Sequence, residues 1–138
     1  MIKEVVAFNR DLLGIPQREP HMLNSAEWKW LRAALLEELN ETDQAFSEEH
    51  LVKMVDGILD LLYFGIGGLY RMGLTEEQIN LCFQAVHTAN LKKKAGVKAT
   101  RPNDGTVADA IKPEGFVPPE EAIHHILFGD VIEAYGDR

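Results

Sequence analysis

Residues 51–69, LVKMVDGILDLLYFGIGGL, decide the fold. The stretch is apolar on every side, which predicts a buried central helix. It approaches the length of a membrane span, but Lys53, Asp56, Asp60 and the glycines Gly65, Gly67 and Gly68 favour a core helix of a globular protein. Asp56 and Asp60 lie four residues apart and so share one face. Unpaired carboxylates in a buried helix cost on the order of several kcal/mol, so a compensating charge is required. The sequence just upstream supplies no base. It supplies more acid: residues 35–41 read LLEELNE, with Glu37, Glu38 and Glu41. Two helices bringing carboxylates to one place point to a metal ion.

The helix carrying those upstream acids opens at Asn24, with Glu27 three residues on as a capping box, and should run to about Phe46. Its expected core stripe is Trp28, Leu31, Leu35, Leu39 and Phe46. At 100° per residue, Glu37, Glu38 and Glu41 fall beside that stripe, in a sector shared with Ala34 and Ala45. Ser47 followed by Glu48 and Glu49 is the expected cap of the next helix, which Gly73 should close. Before these, residues 2–13 space Val5, Phe8, Leu12 and Leu13 as a helix would, ending at Gly14 and Pro16.

After them, Thr75–Gln78 (TEEQ) starts a fourth helix with Ile79, Phe83 and Val86 on its apolar face. It should end in AVHTANLKKKAG, with Lys92, Lys93 and Lys94 in the last turn. Residues 96–119, rich in Pro and Gly, predict a long loop without strands, and Pro119 begins a final helix ending near Gly136. The expectation is all-α: a single domain over residues 1–138, a helical bundle of about five helices.

A net charge of −8 argues against a general nucleic-acid binder. The single cysteine, Cys82, excludes an internal disulfide, suits a reducing cytoplasm, and sits in an apolar stretch as a small core residue. The N-terminus lacks the apolar core and cleavage site of a signal peptide.

Glu37, Glu38 and Glu41 alone fit a solvated acidic helix face. Asp56 and Asp60 within an apolar helix do not, and together the carboxylates suit Mg²⁺ or Mn²⁺, with room for more than one ion. Lys92 to Lys94 alone fit a helix end that complements its dipole. With Lys98, Arg101 and Lys112, opposite a metal site, they would neutralise a polyphosphate. His87 reads equally as a structural hydrogen-bonder. Glu121 and His124 form one E-x-x-H, half of a di-iron carboxylate site, and no second copy exists.

The motifs in order resemble a known family. Glu37-Glu38-Leu39-Asn40-Glu41 matches E-E-x-x-E and is followed by Asp56-Gly57-Ile58-Leu59-Asp60-Leu61-Leu62-Tyr63. This pairing resembles the all-α nucleoside triphosphate pyrophosphohydrolases, the MazG-like superfamily. His87, Asn90 and Lys93 resemble its H-x-x-N-x-x-K segment. Lys112-Pro113-Glu114-Gly115-Phe116 with Pro118-Pro119 resembles the tail of its phosphoribosyl-ATP-pyrophosphatase-like subgroup. The family's second motif is usually E-x-x-D, and here Gly57 takes the place of the glutamate.

The resemblance implies a hydrolase that converts a nucleoside triphosphate or related nucleotide to the monophosphate and pyrophosphate. It implies Mg²⁺ (or Mn²⁺) held by Glu38, Glu41, Asp60 and Asp56, with Glu37 acting on the attacking water. It implies nucleotide contacts from His87, Asn90, Lys93, Arg101 and Lys112, and a homo-oligomer, dimer or tetramer. The alternative is a non-catalytic nucleotide-binding or oligomeric helical module of the same fold.

Overall fold

The structure is a computed structural model in which residues 1–129 are described. Its elements are α1 (Ile2–Ala7), which continues as a π-helical turn (Phe8–Leu12), α2 (Ser25–Ser47), α3 (Leu51–Arg71), α4 (Glu76–Leu91), β1 (Lys94–Ala95), β2 (Ala110–Ile111) and α5 (Glu120–Phe128). The all-α class is as expected. Two compact units divide at Ile79 and Asn80, within α4.

The first unit is built on the antiparallel pair α2 and α3, with α1 laid on α3. Local signals work as the sequence predicts. The Asn24 side chain accepts from the Glu27 N–H at 2.8 Å, and Glu27 accepts from the Asn24 N–H at 3.0 Å. Thr75 and Gln78 form the same reciprocal box at 3.0 and 3.1 Å. These caps satisfy amides that the first helical turn leaves without partners.

The link between α2 and α3 differs from expectation. Ser47 does not cap α3; it is the last residue of α2, its hydroxyl donating back to the Asp43 carbonyl at 3.2 Å. The cap is His50, whose Nδ1 accepts from the Lys53 N–H at 3.2 Å. Between them α2 ends in a Schellman motif. The Glu49 N–H donates to Phe46 at 3.0 Å and the His50 N–H to Ala45 at 2.9 Å. Glu49 occupies the left-handed position, φ 53°, where glycine is normally favoured. Glu49→Gly is therefore expected to stabilise the protein by about 0.5–1 kcal/mol. A chemical-denaturation midpoint unchanged or lowered would refute this. The link after α3 has the same geometry, with Gly73 at φ 88°. There even alanine is barred, because a Cβ would run into the Glu19 carbonyl.

The core also differs from the sequence reading. On α2 the buried residues are Leu31, Thr42 and Ala45; Trp28, Leu39 and Phe46 are exposed. The face meeting α3 is the one with small residues, because these let two helix backbones approach closely. α3 is not buried all round. Val52, Val55, Ile58, Leu59 and Leu62 are exposed, while Gly57, Ile66, Gly67, Gly68 and Tyr70 are buried. Tyr70 seals the unit from below, its hydroxyl donating to the Ile15 carbonyl at 2.6 Å.

In the second unit, α4 buries Cys82 and Ala89, whereas Phe83 and Val86 are exposed. The helix stops at Leu91, so Lys92 to Lys94 lie beyond its last turn rather than in it. The stretch expected to lack strands holds a short antiparallel ladder, Lys94 opposite Ile111 and Ala95 opposite Ala110. Gly96 makes room for it: a Cβ there would come within 2.8 Å of the Ile111 side chain. α5 begins after Pro119 and ends at Phe128, before Gly129 with φ 91°, short of the expected Gly136, which lies outside the described residues.

Candidate active site

The α2–α3 crossing places the acids. At its tightest point Thr42 lies against Gly57, where an added Cβ would overlap the Thr42 hydroxyl. That hydroxyl donates to the Glu38 carbonyl at 2.7 Å, one turn back. Glu38 therefore shares the face by which α2 packs on α3, and is partly buried. Its Oε2 is buried without a hydrogen-bond partner. Asp60 from α3 and Glu41 from the next turn of α2 act on it at hydrogen-bonding range. Desolvation and these two like charges raise the Glu38 carboxyl from its ordinary 4.5 to about 7.

Glu37 and Glu41 are exposed. Asp56 stands apart from Glu38. It lines a second groove of about 330 Å³ with Glu41, Gln44, Glu48 and Lys53. Glu41 is thus the acid common to both places.

Among the described residues, no three His, Cys, Asp or Glu side chains are arranged to hold a metal ion as they stand. The donor chemistry at Glu38, Glu41 and Asp60 nevertheless fits a hard cation. All donors are carboxylate oxygens, their mutual repulsion is uncompensated by any base, and one buried oxygen lacks a partner.

Glu38 and Asp60 also form one end of a cavity of about 450 Å³ within the first unit. Its walls are largely aromatic. Phe8 meets Tyr63 edge-on with ring centres 5.4 Å apart, and Trp30 meets Phe64 similarly at 5.9 Å. Asn9, Gly67 and Arg71 complete the lining. The Arg71 guanidinium lies 4.2 Å from the centre of the Trp30 ring. Burial lowers its pKa, offset in part by Glu27.

The motifs do not mark Asn9, Trp30, Thr42 or Arg71 as site residues. A signal for Arg71 exists: it continues the face of Asp60, Phe64 and Gly67 along α3. Asn9 is a lone polar residue in the apolar run around Val5, Val6 and Phe8.

The predicted cationic residues belong to the second unit. His87 and Asn90 are exposed on α4. The β ladder brings Lys93 and Lys112 to one ring, their Nζ atoms 5.8 and 5.7 Å from the centre of Phe116. Phe116 is set by a turn in which its N–H donates to Pro113 at 3.1 Å, with Gly115 at φ 75°. Arg101 is already engaged, donating to Asp109 at 3.0 and 3.2 Å.

A protein-family model described as phosphoribosyl-ATP pyrophosphohydrolase matches residues 7–90. The match includes Glu37, Glu38, Glu41, Asp56 and Asp60, and ends before Lys93. No curated protein matches the chain.

Proposed function

The chain belongs to the phosphoribosyl-ATP pyrophosphohydrolase family, and on that premise we propose that it is a Mg²⁺-dependent nucleotide pyrophosphohydrolase, cleaving a nucleoside triphosphate or related nucleotide to the monophosphate and pyrophosphate. The observation that carries this reading is Glu38: a half-buried carboxylate with an unpartnered oxygen, pressed between Glu41 and Asp60.

Glu38, Glu41 and Asp60 would hold the cation, with Asp56 assigned to the set by its motif alone. Mg²⁺ or Mn²⁺ there supplies Lewis acidity and offsets charge on the phosphates. Exposed Glu37 orients a water and takes its proton as the water oxygen bonds to the α-phosphorus. The bond from that phosphorus to the bridging oxygen breaks, and pyrophosphate leaves with its electron pair. His87, Asn90, Lys93, Arg101 and Lys112 are proposed to contact the nucleotide on the strength of the motif resemblance; Arg101 would exchange Asp109 for phosphate.

The exposed apolar row Val52, Val55, Leu59 and Leu62 on α3 supports a homodimer or larger homo-oligomer, since a single chain leaves it in water. We place the protein in the cytoplasm because its lone thiol, Cys82, is buried and unpaired. Among the described residues, no helix is long and apolar enough to cross a membrane.

Gly57 favours a second reading, a nucleotide-binding relative without catalysis, because the site has one carboxylate fewer than the family motif. A panel of ribo- and deoxyribonucleoside triphosphates and phosphoribosyl nucleotides, incubated with protein and Mg²⁺, separates the two. Release of pyrophosphate with the matching monophosphate is expected from at least one substrate. Tight nucleotide binding with no release from any of them would establish the second reading instead.

A further inference from the structure

The aromatic cavity contains polar groups that the proposed hydrolysis does not use. Asn9 is only 4% exposed yet lines the cavity. Its Nδ2 donates to the Val5 carbonyl at 2.9 Å, which fixes the amide orientation and leaves Oδ1 as an acceptor. The π-helical turn from Phe8 to Leu12 sets this position; such turns re-aim side chains within a helix. The amide rests on Gly67, where a Cβ would come within 3.2 Å of Nδ2. Arg71 supplies donors. It forms no ion pair among the described residues and lies over the Trp30 ring. Arg71 follows Asp60 on the same helix face by about three turns, or ~16 Å, leaving room for a sugar and a ring between acids and guanidinium.

Flat aromatic walls, one buried amide acceptor and one unpaired guanidinium suit a flat heterocycle with polar edges. We propose that this cavity takes the substrate's base, and that Arg71 and Asn9 select a base with an exocyclic oxygen facing Arg71 and an N–H facing Asn9. That describes an oxo-base such as guanine, hypoxanthine, uracil or thymine, rather than adenine or cytosine. Arg71 donates to the oxygen, and Asn9 Oδ1 accepts from the ring or amino N–H beside it. Trp30 and Phe64 hold the ring by stacking. The assignment rests on the nucleotide reading of the neighbouring carboxylates, but not on their catalysing anything.

The test is binding of nucleoside 5′-monophosphates, followed by Trp30 fluorescence in a Trp28→Phe background and compared with hydrolysis of the corresponding triphosphates. Oxo-base nucleotides are expected to quench Trp30 and bind about 10- to 100-fold more tightly than adenine or cytosine nucleotides, the range of a charge-assisted hydrogen bond. Arg71→Met should erase the ranking. Arg71→Lys should keep part of it, and Asn9→Ser should weaken it independently. At saturating substrate, turnover by Arg71→Met should change far less than KM. A ranking unaffected by Arg71→Met and Asn9→Ser, or the absence of any ranking, overturns the proposal even if pyrophosphate is released. Oxo-base quenching that these variants abolish, without hydrolysis of any triphosphate, would uphold the cavity assignment and sink the enzymatic one.

Discussion

Replacing Glu38 with glutamine is expected to abolish pyrophosphate release and, in chelator, to make the protein more stable at neutral pH. The two effects share one cause. Glu38 is forced against Asp60 and Glu41 with a buried oxygen unpartnered. Losing groups that merely support metal ligands costs about 10- to 100-fold in affinity or activity, so loss of a ligand itself should cost at least about 100-fold. Without metal, the same carboxylate is a burden.

Its folded-state value of about 7 stands above the ordinary 4.5. The folded protein thus binds more protons than the unfolded chain between these values, and stability falls as pH rises through that window. Below 4.5 both states are protonated and the penalty vanishes; above 7 it is complete. The melting temperature of metal-free Glu38→Gln should therefore match that of the unsubstituted protein in acid and exceed it increasingly toward pH 7. Parallel curves across the window would show that the three carboxylates are not in conflict. Loss of activity without that crossover would point to a role for Glu38 outside the cluster.

Restoring the family's usual glutamate, by Gly57→Glu, should unfold the hairpin rather than strengthen the metal site. The Cβ alone overlaps the Thr42 hydroxyl and lies 3.2 Å from the Thr42 Cβ. Thr42 cannot easily turn away, because its hydroxyl is bonded to the Glu38 carbonyl. Gly57→Ala carries the overlap without new charge and should cost about 1–3 kcal/mol, with the glutamate at or beyond the upper end. Thr42→Ala in the same chain should recover part of the loss, since it removes the hydroxyl but not the close Cβ approach. Chemical denaturation of the two single variants and the double variant measures the coupling. Additive effects would mean that Thr42 is not what excludes a side chain at 57. Thr42 and Gly57 thus form a pair: the larger residue on α2 is compatible with the motif's missing carboxylate on α3.

What was legible in the sequence was mostly local. The Asn24 and Thr75 boxes and the stop at Gly73 each depend on a few consecutive residues, and they formed as predicted. The convergence of Glu38 with Asp60 was also legible, because helical spacing fixes the face each occupies. The choice of face in contact was not. Trp28, Leu39 and Phe46 look like core by hydrophobicity, yet α2 docks through Thr42 and Ala45, because close approach of two backbones rewards small volume. α3 misled in the same way: an all-round apolar helix implies burial, but one chain covers only its Gly57–Ile66–Tyr70 side. The strand pair at Lys94 and Ile111 is too short to show any alternation. Asn9 and Arg71 carry no motif, and their meeting at one cavity depends on the helix crossing.

The π-helical turn bears on how this chain can change its length. A turn of five residues where an α-helix would use four stores one residue of slack between Val6, docked beside α3, and Ile15, held by Tyr70. Deleting a single residue from 8–12 would relax the turn to ordinary α geometry and rotate everything upstream by about 100°. Val5 and Val6 would lose their seat, or Asn9 would leave the cavity. Two anchored ends with one stored residue between them make this segment intolerant of a lone deletion, while exposed loops nearby carry no such phase.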